Sequence, residues 1–303
     1  MRMSLPCLAL ALAGCATTPD ATKPPPPVPL TLDLADPVVE AEIAGVPLRL
    51  RVDFQQKDVI ELNPAAAARL AVKWEDGFDV AVGRVVLQGR QARAPVLIGG
   101  VAIESVVAEH GRDCCAGVDG AISPASLPYD PVRLVRQSEP EGRSASYPAT
   151  ISAETGLTLA QPLGRETLRV RLALDGETPI ATASAGAVLA KAQGGRFVGP
   201  VFRVTPAFGV SRQARTMVFA RPPLVAGFPL ERVAVRFADF SGGRTLPLPG
   251  EGDGEGIEVR GRAPPPQRDW PSVSLGRQQL DRCREIAFHR AQSVITLDCR
   301  FGS

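Results

Sequence analysis

The chain has 303 residues, 45% of them hydrophobic, with 34 basic against 32 acidic side chains. Balanced charge without basic blocks argues against nucleic acid as a partner, and the apolar content is enough for a full core. With 29 glycines, 29 prolines and few long periodic helical segments, the chain reads as mostly β.

The first element is a signal. Arg2 supplies a positive start, and Leu5 to Ala13 form an apolar run too short to span a membrane. The run ends Leu12-Ala13-Gly14-Cys15, which resembles a bacterial lipobox. That resemblance implies that residues 1–14 are a lipoprotein signal peptide, that Cys15 is the lipidation site, and that acyl chains anchor the protein to a membrane. Ala16, where an acidic residue would retain the protein elsewhere, is similar to the sorting signal for the outer membrane, facing the periplasm. The alternative is an ordinary secretory signal with a chance cysteine. Residues 15–29 then form a tether. Ala16 to Pro29 reads ATTPDATKPPPPVP, and at about 3.1 Å per residue a proline-rich spacer of that size reaches some 40 Å.

Folded structure is expected from Leu30, leaving about 270 residues for one large all-β unit or two lobes. Strands are predicted at Leu30–Leu34, Val38–Ile43, Leu48–Val52 and Val59–Leu62 from their apolar alternation. Asn63 and Pro64 open an alanine-rich helix over Ala65–Leu70 as N-cap and first helical residue. Further strands are expected at Phe78–Val82, Arg84–Leu87, Ala94–Ile98 and Val101–Glu109. Asp119 to Pro124 reads as a turn into a second short helix, and the polar stretch from Arg136 to Ser146 as a connection between lobes.

The order of elements then repeats. Leu168-Arg169-Val170-Arg171-Leu172 matches Leu48-Arg49-Leu50-Arg51-Val52 at an offset of 120 residues, and a turn, a short strand and an alanine-rich segment follow both (Ala65–Leu70, Ala185–Lys191). Over residues 48–71 against 168–191, six of 24 positions are identical. Two unrelated lobes of similar composition are the alternative to duplication.

Six cysteines are present: Cys7 and Cys15 in the leader, then Cys114, Cys115, Cys283 and Cys299. The adjacent pair Cys114-Cys115 is open to a vicinal disulfide or to two thiols. His110 and His289 stand alone and there is no C-x-x-C, so no metal or other cofactor is expected. Gly250 to Gly256, with its alternating acids, reads as an acidic surface loop, calcium being the alternative. No G-x-S-x-G or H-E-x-x-H is present for serine-hydrolase or zinc chemistry.

The strand, aspartate-bearing turn, short strand and helix N-P-A-A-A-A-R-L-A-V, then D-G-A-I-S-P-A-S-L-P, resemble a lobe of the aspartic proteases (pepsin and retropepsin). Ser274-Leu275-Gly276, Leu280 and the apolar stretches Ile286–Phe288 and Val294–Leu297 are similar to the closing segment of such a lobe. The resemblance implies a mostly β fold of two pepsin-like lobes related by internal duplication, at 30–145 and 146–303. It also implies a disulfide between Cys283, on the closing helix, and Cys299, on the last strand. In the family each lobe contributes an aspartate in D-T/S-G, and the two share a proton. Here lobe one offers Asp53 followed by Phe54 and Gln55, which lack the bracing hydroxyl and the turn glycine. In lobe two the ungapped equivalent is Ala173, with Asp175-Gly176 two residues on, a pair that also suits a plain hairpin turn. The candidate catalytic residues are therefore Asp53 and Asp175. The expected function is non-catalytic binding of an extended peptide or an envelope protein, the alternative being an aspartic endopeptidase with divergent loops.

Overall fold

The structure, a computed structural model, describes residues 28–82, 85–137, 142–152, 155–237 and 271–302. Cys15, the signal, most of the tether and the Gly250–Gly256 segment lie outside these. Among the described residues no helix is long and apolar enough to cross a membrane.

The protein is mostly β. Its first half runs β1 (Leu30–Asp33), β2 (Val38–Ile43), β3 (Val46–Val52), β4 (Ile60–Leu62), α1 (Pro64–Ala67), β5 (Glu75–Asp76), β6 (Val80–Val82), β7 (Val85–Leu87), β8 (Arg90–Ile98), β9 (Val101–Glu109), β10 (Gly120–Ile122), a 3₁₀ turn (Pro124–Ser126) and β11 (Val132–Val135). The second half runs β12 (Arg143–Ser152), β13 (Gly156–Leu163), β14 (Glu166–Leu172), β15 (Ile180–Ala181), α2 (Ala183–Gln193), β16 (Gly195–Val204), β17 (Arg212–Phe219), β18 (Leu224–Val225), β19 (Phe228–Pro229), β20 (Arg232–Arg236), β21 (Ser272–Leu275), α3 (Arg277–Leu280), β22 (Cys283–His289) and β23 (Val294–Cys299).

Two sheets carry the fold. One has seven strands in the order β2-β3-β10-β4-β9-β8-β5; the other has twelve, in the order β1-β11-β22-β23-β12-β13-β14-β21-β15-β20-β17-β16. Their pairing follows one plan. From β2 to β8 the contacts alternate antiparallel, parallel, antiparallel, parallel, antiparallel. From β13 to β17 they run in the same sequence. The strands from β1 to β12 in the larger sheet join the halves, since β11 pairs with both β1 and β22, while β16 closes the far edge.

Alternation decides which face each strand buries. In β3, Leu48, Leu50 and Val52 are buried and Arg49 and Arg51 face the other way; Leu168, Val170 and Leu172 with Arg169 and Arg171 repeat this in β14. The first half has its own buried cluster, around Ile43, Leu50, Leu62 and Ile98. A second cluster fills the other half and the linking strands.

Several local expectations are corrected. The first helix is one turn long, and the Asn63 side chain does not cap it, being engaged elsewhere. Gly120–Ile122 is a strand, wedged between β3 and β4, not part of a turn. Its glycine is required there, because a Cβ would lie 2.4 Å from the Glu61 carbonyl oxygen. The polar stretch read as a connection contains the start of β12, which pairs with β23 from Arg143 onward. Cys283 opens β22, not the closing helix, and is bonded to Cys299, its cross-strand partner on β23.

Candidate functional site: a cleft between the halves

Beyond β3 and β14 the chain makes the same turn twice. Asp53 N–H donates to the Ile122 carbonyl at 2.9 Å, and Ala173 N–H to the Leu275 carbonyl at 2.8 Å. Gln56 N–H then bonds back to the Asp53 carbonyl at 3.1 Å, and Gly176 N–H to the Ala173 carbonyl at 3.2 Å. Ala173 therefore stands where Asp53 does, and Asp175 where Gln55 does. The offset of 120 falls to 119 by the helix N-caps, Asn63 and Thr182.

The two turns line a cleft of about 1040 Å³, together with Phe78 to Val82 and Val86 of the first half and Thr205 to Phe208 of the second. Asp53 and Asp175 both line it. The Asp53 Oδ1 accepts the Gln55 N–H at 2.8 Å. Its carboxyl is pushed up from 3.8 to about 6, first by burial and then by the charge of Asp175, against the Gln55 N–H, Arg171 and Arg51. Asp175 itself is exposed.

The two residues that depart from D-T/S-G hold the halves together. Phe54 is fully buried, in the same cluster as Leu157, Leu172 and Phe228 of the second half. An aromatic ring thus braces this turn against the second half. Gln55 accepts twice from the other half: its carbonyl from Arg171 Nη2 at 3.0 Å, and its Oε1 from the Ser274 hydroxyl at 3.3 Å. Gly156 completes the joint. Its φ is +68°, and a Cβ would sit 2.7 Å from the Gln55 carbonyl oxygen and 2.6 Å from that of Gln56.

Sequence reasoning set His110 aside as solitary. The structure buries it against Glu61, with Nδ1 2.8 Å from Oε1, and its Nε2 donates to the Phe78 carbonyl at 2.8 Å. One proton is shared along the first contact. Burial holds the Glu61 carboxyl above its ordinary range, opposed by the bond from His110. The ring also meets Phe208 edge-on at 5.4 Å, so His110 touches a lining segment from each half. No periodicity reports such a pair, because Glu61 and His110 lie 49 residues apart. Beside it, Cys114 and Cys115 are joined as a vicinal disulfide. Asn63 clasps that corner, accepting from Cys114 N–H at 2.9 Å and donating to the carbonyls of Cys115 and Val118.

No family model matches this chain, and no curated protein matches it. Among solved structures it is similar to the EIAV protease complexed with the inhibitor HBY-793, at 13% identity and a TM-score of 0.25. The likeness covers 29% of this chain and 81% of that one. It is a loose aspartic-protease-like likeness, and no residue is assigned from it.

Proposed function

We propose that this chain is a two-lobed, pepsin-like protein, duplicated internally, that holds an extended peptide in its cleft without cutting it. The observation that carries this reading is the match of the two turns, which sets Ala173 where a second aspartate would have to stand. Aspartic proteolysis needs two carboxylates sharing a proton, one to activate water and one to donate to the carbonyl. A methyl group can do neither. The cleft remains long and open, and an extended ligand could add its backbone to the strand edges around it. Cys15 would tether the protein, through lipid, to the outer membrane facing the periplasm.

One observation favours the second reading, an endopeptidase using Asp53 and Asp175. The charge of Asp175 helps to hold the Asp53 carboxyl near 6, so the two groups feel each other. The deciding experiment is cleavage of a peptide library by the purified protein between about pH 3 and pH 7, beside Asp53→Asn. The binding reading expects no cleavage from either protein. Cleavage that disappears in Asp53→Asn would establish a peptidase instead.

A further inference from the structure

Arginine is the unusual feature of this cleft. Alternation turns Arg51 of β3 and Arg171 of β14 away from the core, two residues before Asp53 and Ala173 in the turns that follow. Arg51 and Arg171 thus hold matching positions, two residues before the centre on either side. Their cross-strand neighbours match too, Ala121 for Arg51 and Ser274 for Arg171. Arg169 and Arg236 line the same cleft.

Arg51 and Arg171 feel the charge of Asp53 without a direct contact to it. Among the described residues neither Asp53, Arg51 nor Arg171 forms an ion pair. The hydrogen bonds of the two arginines go to carbonyl oxygens, Ala116 for Arg51 and Gln55 for Arg171. Arg171 Nε is buried with no hydrogen-bond partner at all. Glu61, the other acid deep in the cleft, is engaged by His110. Asp79 and Asp175 complete the acids lining the cleft, and Lys57 adds a further cation. A guanidinium out of water with an idle N–H is stabilised by a planar anion that accepts from it, and carboxylate fits that fork best among peptide groups.

We propose that the cleft selects acidic peptides, with Arg51 receiving a Glu or Asp side chain on one side of the centre and Arg171 receiving another on the opposite side. This rests on the reading of the cleft as a peptide site, and adds the chemistry of its ligand. The charged lining then sets specificity, while the backbone sets orientation.

The test uses the full chain and fluorescein-labelled octapeptides in an alanine-valine host. Each carries two glutamates two, three or four residues apart, or the same pattern of glutamines. Fluorescence anisotropy near pH 7 is expected to give at least about tenfold tighter binding for the best glutamate peptide than for its glutamine counterpart. Raising the salt concentration should narrow that preference. Arg171→Gln and Arg51→Gln should each abolish most of it. Equal binding of both peptide sets would overturn the selectivity and leave the peptide cleft standing. So would a preference that survives both substitutions. Binding of neither set overturns the peptide reading itself. In that case a melting shift with free glutarate, present in the unsubstituted protein and absent in Arg51→Gln, would retain the arginine site alone, and no shift would remove it. Arg171 also ties the halves together, so Arg51→Gln decides the question if Arg171→Gln does not fold.

Discussion

Phe54 shows how one side chain can change what joins two halves of a protein. A ring with no exposed surface, seated in the opposite half's core, joins the halves through area and packing. Phe54→Ala should cost about 3–5 kcal/mol, through lost burial and the cavity left behind. Urea denaturation measures this directly. Its neighbour Asp53 gives a pH signature. Its folded carboxyl titrates at about 6 against an ordinary 3.8, so folding favours the protonated form. Stability from this residue is complete below about pH 4 and is lost as pH rises through about 6. Asp53→Asn escapes that loss while keeping an oxygen for the Gln55 N–H. Its stability advantage should therefore be near zero at about pH 3.5 and grow to at most about 3 kcal/mol at pH 7, less whatever solvent in the cleft screens. A flat difference across that range would contradict the burial of this carboxyl. The sequence made the loss of hydroxyl and glycine at 54 and 55 legible, because these are identities. It could not report where the Phe54 ring goes, since alternation names a face and not the core that meets it.

Among elements, the strands with alternating apolar residues were legible and those without were not. β2 and β9 run as the pattern predicts, and β3 starts two residues earlier. β12 could not be seen because its ten residues bury little, so no apolar period marks them. β10 was hidden for the opposite reason: all three residues are buried between two strands, within a segment dense in turn formers. The terminal hairpin carries a covalent clasp, Cys283 to Cys299, 16 residues apart. Closing a loop of that size contributes about 3 kcal/mol in the chain-entropy account. Replacing both cysteines by alanine should lower stability by about that amount, and added reductant should shift the parent protein by more than the variant, which keeps only the Cys114–Cys115 bond. Chemical denaturation with and without dithiothreitol makes the comparison.

At the scale of the molecule the halves are not separable bodies. β1 and β11 come from the first half of the chain yet belong to the larger sheet, and Phe54 belongs to the second core. Arg133 on β11 donates from Nε and Nη2 to both oxygens of Glu285 on β22, at 2.8 and 2.7 Å. Unfolding should therefore be a single transition, with tryptophan fluorescence and far-ultraviolet dichroism giving coincident curves. Two resolved steps would mean that the shared strands contribute little. The mostly β character was legible in the sequence, from its alternating segments and its glycines and prolines. The joining sheet was invisible, because its pairings link residues as distant as Arg133 and Ala287.

That long reach sets a schedule for synthesis. When Val132–Val135 leaves the ribosome, its partner strand lies some 150 residues away, and at about 5–20 residues per second the wait is roughly 10–30 s. For that interval the newborn first half presents an unpaired β edge, the surface on which chains stick to one another. The β22–β23 hairpin is thus a closing seam: until it is made, the free edge of β11 stays open to any other strand it meets.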